Sequence, residues 1–90
     1  MMYPFLTLND GTEIVHSETL ENGSVKVYIE KLDANDCFHH VTCFLPKYEW
    51  IDNFGFTPEE IQSFKEIIEA SANLILEFAR DRGFENASGF

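Results

Sequence analysis

The sequence predicts an α+β domain: a four-stranded antiparallel β-meander followed by one long C-terminal α-helix packed on one face of the sheet. Three observations lead there. Asn9-Asp10-Gly11 and Glu21-Asn22-Gly23 each interrupt a β-rich run, Asp33-Ala34-Asn35-Asp36 makes a third polar break, and a capped segment with helical periodicity begins at Thr57. An Asx-Gly pair between strands is a strong hairpin signal, because glycine takes positive φ without a Cβ clash. The strands are therefore expected near residues 3–8, 12–20, 24–32 and 37–45, in meander order because the connections are short.

Three-residue loops ending in a left-handed glycine set a definite register. They place Glu13 opposite Lys31 and Glu18 opposite Lys26, two favourable cross-strand pairs. With a four-residue third loop, Phe5, Val15, Val25, Val27, Ile29, Phe38, His40 and Phe44 share the face expected to pack on the helix. The opposite face then carries Leu6, Leu8, Ile14, His16, Leu20, Tyr28, His39, Val41 and Cys43. A slip of one residue exchanges these assignments.

An aromatic crossover, residues 46–57, leads into the helix. Thr57 is the expected N-cap, Pro58 sits in the first turn, and Glu60 completes a capping box, with Phe56 and Ile61 as a hydrophobic staple. Arg80, Arg82, Gly83 and Phe84 read as a stop, giving a helix over about 58–82 and a short tail, residues 83–90. Its apolar side chains sweep an arc of roughly 200°, wider than one sheet face needs. The tail, the crossover or a second copy of the chain must cover the surplus, and a homodimer is the expectation.

The chain of 90 residues has no repeat or flexible linker and is expected to form a single domain over residues 1–90. It carries 16 acidic against 6 basic side chains, a formal charge of −10. Residues 1–46 hold seven acids and two bases and residues 47–90 hold nine and four, so each half nets −5 and there is no acidic tail. Direct nucleic-acid binding, which draws on clustered Lys and Arg, is not expected, whereas a basic protein partner is compatible. No apolar run reaches the roughly 18–20 residues of a membrane span, and the start lacks a basic, cleavable leader, so a cytoplasmic location and no membrane association are expected.

Cys37, His39, His40, Cys43 and His16 have the chemistry of zinc ligands but not the placement. Neighbouring strand residues point to opposite faces, so His39 and His40 cannot share an ion, and Cys37 and Cys43 lie about 20 Å apart along one strand. No metal site is expected. The same separation forbids a disulfide between the two cysteines, and with no helix N-terminus beside them both read as buried, inert thiols. The chain has no Gly-rich phosphate loop, nucleotide fingerprint or serine elbow, and no cofactor is expected.

Two residue groups remain as candidates. His16, Tyr28, Glu30 and His39 form a polar row on one sheet face in the expected register. Tyr48, Trp50 and Phe54 are aromatic anchors in the crossover, flanked by Glu49 and Asp52. Two functions follow. The first is a non-enzymatic protein–protein interaction or regulatory/accessory module, expected to be homodimeric. The second is a small-ligand protein or enzyme, with a pocket on the His16/Tyr28/His39 face completed at a dimer interface.

Overall fold

The computed structural model describes residues 2–32 and 38–88, with side chains described through residue 81. Five strands, β1 (Met2–Thr7), β2 (Glu13–Ser17), β3 (Val25–Leu32), β4 (Phe38–Leu45) and β5 (Glu49–Phe54), precede one helix, α1 (Pro58–Ser88). The strands form a single antiparallel sheet in the order β1-β2-β3-β4-β5. The α+β class and the meander match the sequence. The strand count does not, because Glu49–Phe54 of the expected crossover pairs with β4 as a fifth strand.

Both Asx-Gly turns close as three-residue loops. Gly11 and Gly23 sit at φ 89° and 84°, and their N–H groups donate to the Leu8 and Leu20 carbonyls at 3.0 and 2.9 Å. The register beyond the second turn nevertheless departs from expectation by one residue. Leu20 donates to the Ser24 carbonyl, but His16 lies opposite Val27, so the β2 side carries one extra residue between these pairs. Ser17 explains the bulge. Its Oγ accepts the Lys26 N–H at 3.0 Å and donates to the Glu18 carbonyl at 2.7 Å, replacing a backbone partner in the ladder.

The slip reassigns the faces. Glu13 lies opposite Glu30 rather than Lys31, and Lys31 pairs with Asp10 at 3.2 Å instead. On the β4 side a second, separate shift pairs Leu32 with Phe38 rather than with residue 37, so Val41, Cys43 and Leu45 take the helix-facing side in place of Phe38, His40 and Phe44. The core comprises Ile14, Val25, Val27, Ile29, Val41, Cys43 and Leu45 from the sheet, packed on Phe56, Phe64, Ile68, Ala72, Ile75 and Ala79. The β3 residues keep their expected face; those of β2 and β4 exchange theirs.

The helix begins as its sequence dictates. Thr57 N–H donates to Glu60 Oε1 at 2.9 Å and Glu60 N–H donates to Thr57 Oγ1 at 3.2 Å, the two bonds of a capping box. Phe56 is buried against Phe64, with ring centroids 4.8 Å apart. The end differs: the helix does not stop at Gly83 but runs to Ser88. One interior glycine costs about 1 kcal/mol relative to alanine, which does not by itself end a long helix. At 31 residues it is roughly 46 Å long against about 27 Å for an eight-residue strand, so it overhangs the sheet.

Candidate functional site

One helix covers one face of this sheet, and the other face is open. Across β3, β4 and β5 the open face presents a row of three rings: Tyr28, His40 and Phe54. The Tyr28 and His40 centroids are 6.0 Å apart with planes 24° from parallel, and His40 and Phe54 are 5.6 Å apart at 13°. The row exists because Tyr28 neighbours Thr42, His40 pairs directly with Phe54, and a bulge in β5 sets that last pairing. Asp52, at φ 56°, lies in the bulge. A shallow cleft of about 410 Å³ runs along the row, lined by Lys26, Tyr28, His40, Thr42, Asp52, Asn53 and Phe54. Phe54 is 60% exposed, and Ile51, Leu32 and Phe38 are exposed on the same side.

The charges beside this row are mostly negative. Glu13 and Glu30 are directly opposed across β2 and β3, an arrangement that destabilises a sheet by a few tenths of a kcal/mol. Among the described residues no cation reaches either carboxylate, and the nearby Lys31 is engaged with Asp10. Burial, then the Glu30 charge, pushes the Tyr28 hydroxyl above the ordinary tyrosine value, so it remains a neutral hydrogen-bonding group at physiological pH.

The polar row read from the sequence is divided by the register. His16 is buried in the helix-facing layer, while Tyr28 and Glu30 lie on the open face, so His16 and Tyr28 share no pocket. His16 Nδ1 donates to the Ser17 carbonyl at 2.8 Å, and its ring meets Tyr3 and Phe5 at centroid distances of 5.8 and 6.4 Å. It is a satisfied core histidine. His39 also faces the helix side, edge-on to Phe56 at 5.5 Å and over Gly55. Trp50, opposite Cys43, is half-buried against the core, and Tyr48 is exposed in the β4–β5 turn at φ 58°. Of the named candidates, Tyr28, Glu30 and Phe54 come together on one face. His40 and Glu13 complete it; the alternation in β4 signals His40 once Val41 and Cys43 are read as the buried positions.

Among the described residues no group of three or more His, Cys, Asp or Glu side chains is placed to hold a metal ion. Cys37 lies outside the described residues. Burial pushes the Cys43 thiol up to about 12, with the Lys65 charge opposing weakly. Its unfolded value is near 8.5–9, so the protonated folded thiol adds stability that is complete below about pH 8 and declines as pH rises toward 12. At pH 8 the Cys43 peptide should stay unalkylated by iodoacetamide in native protein and react fully in denaturant, as read by peptide mass mapping. Alkylation of native Cys43 at the rate of a free thiol would show that the core does not enclose it.

The second uncovered surface is a flank of α1. Ser63, Ile67, Ala70, Ser71, Leu74 and Phe78 fall within about 100° of one another on the helix, and between Glu60 and Asp81 this stripe carries no charge. Leu74 is 45% exposed and Phe78 41%. The Phe78 ring touches Phe5 at 6.1 Å, which sets β1, with its exposed Leu6, beside the stripe. The wide apolar arc read from the sequence is thus only partly buried. No helix among the described residues is long and apolar enough to cross a membrane. No family model, curated protein or solved structure matches the chain.

Proposed function

We propose that the chain is a non-enzymatic protein–protein interaction module that forms a homodimer through the uncharged flank of α1 and leaves its open sheet face to another protein. The observation that carries this is the location of charge. In a chain of net charge −10, two copies meet with least repulsion where each presents no charge, and Ser63–Phe78 of the helix flank is such a stripe. It is also apolar, with Leu74 and Phe78 as anchors and small residues, Ser63, Ala70 and Ser71, that let two helices approach closely. The sheet edges are less suitable. Pro4 and a bulge at Phe5 interrupt β1, and the bulge at Asp52 interrupts β5, so strand-to-strand pairing is blunted on both sides. A reducing, cytoplasmic setting accords with the free thiol of Cys43.

Light scattering across a wide concentration range tests the dimer. The wild type should have twice the monomer mass at high concentration, with added salt maintaining or strengthening association because the contact is apolar. Leu74→Glu alters an exposed side chain and should give a folded monomer. A wild type that stays monomeric throughout would overturn the dimer, as would an undiminished dimer in Leu74→Glu.

A further inference from the structure

We propose that the open sheet face docks an arginine-bearing basic segment of a partner protein, an assignment that rests on the interaction module proposed above and names its partner. The face combines the two features that recognise a guanidinium. It offers the stacked Tyr28–His40–Phe54 row, ending in the exposed Phe54 ring, and it offers carboxylates at Glu30 and Glu13 beside the row and Asp52 within the cleft. Arginine uses both at once, stacking its plane on an aromatic ring while its N–H fork bonds a carboxylate. Glu49 adds a fourth acid at the β5 end, opposite Phe44, and among the described strand residues Lys26 is the one lysine or arginine on this face.

Charge also selects among occupants. A second copy of the chain would bring Glu13, Glu30, Glu49 and Asp52 against the same four acids, with only Lys26 to answer them. A basic segment would instead place cations between Glu13 and Glu30, whose opposition nothing in the described structure relieves. Exposed Phe54 and Ile51 supply the apolar contact that holds such a segment once charge has steered it there. Nucleic acid, being anionic, is excluded by the same field.

The test is an amide chemical-shift titration of the full chain with capped hexa-arginine, hexa-lysine and hexa-glutamate peptides at equal, low ionic strength. Hexa-arginine should shift residues of β3, β4 and β5 around Tyr28, His40 and Phe54, more tightly than hexa-lysine, and hexa-glutamate should shift none. Phe54→Ala and Glu30→Gln, both outside the buried core, should each weaken hexa-arginine about three- to fivefold with the fold retained. Equal binding of both basic peptides, shifts centred on the acidic helix residues Glu59–Glu69, or no shifts would overturn the arginine site. So would movement of the same β3–β5 residues on raising protein concentration alone, which would make this face the contact between copies. Loss of arginine binding with the dimer mass intact would refute only this site. A monomer that still binds hexa-arginine would refute only the dimer.

Discussion

Ile14→Asp should unfold the protein, whereas Val15→Asp should leave it folded with a loss of about 1 kcal/mol. Ile14 is fully buried between the sheet and the helix, opposite Ile29. Removing its side chain forfeits roughly 2–5 kcal/mol, and placing a carboxylate there adds several more for desolvation without a partner. Domains of this size are stable by about 5–13 kcal/mol, so the sum consumes most or all of the margin. Val15 points to the open face beside Tyr28 and is only half-buried, so an aspartate there remains hydrated. Circular dichroism with urea titration reads the difference. The register expected from the sequence places Val15 in the core and Ile14 outside it, and would reverse the order.

Gly55→Ala should lower stability by about 2–4 kcal/mol, or roughly 10–20 °C in Tm for a domain of this length. Gly55 sits at φ 91°, where alanine is strained by about 1–2 kcal/mol whatever surrounds it. A Cβ at Gly55 would also lie 2.5 Å from His39 Cδ2 and 2.9 Å from Cγ, atoms of a ring held against Phe56 at the helix entrance. Gly11→Ala is the control: its φ is 89° but no atom lies within 4 Å of the added Cβ, so it should show the backbone cost alone. In a His39→Ala background the two glycine substitutions should become nearly equal. Equal effects in the wild-type background would show that the His39 ring does not press on Gly55.

The legible parts of the fold are those governed by short-range chemistry. Thr57, Pro58 and Glu60 are adjacent in sequence and cap the helix as expected, and Gly11 and Gly23 take the positive φ that their turns require. The register was not legible, because one hydroxyl, that of Ser17, competes with the backbone for the Lys26 N–H, and nothing in the local pattern of β2 announces that exchange. The fifth strand was hidden for a similar reason. Its turn uses Tyr48 in a left-handed conformation without glycine, and its bulge uses Asp52 likewise, so the usual hairpin punctuation is missing. These two departures account for the site as well. The slip of β2 moves His16 into the core, a separate one-residue shift of β4 against β3 brings His40 out beside Tyr28, and the pairing of β5 delivers Phe54 to the end of the row. Tyr28 and Glu30 were recognisable as members of a polar row and Phe54 as an aromatic anchor; their common face depended on the register and the β5 bulge.

The proposed division gives the helix flank to a second copy and leaves the open sheet face free for a different partner. Paramagnetic relaxation by a soluble, uncharged probe, measured on assigned side-chain resonances at low and high protein concentration, tests that division most directly. At low concentration Leu74, Phe78, Ile51 and Phe54 should all be relaxed by the probe. At high concentration Leu74 and Phe78 should become protected while Ile51 and Phe54 remain accessible. Protection of Ile51 and Phe54 instead would contradict the division, making the sheet face the self-association surface and leaving the helix flank without its assigned partner.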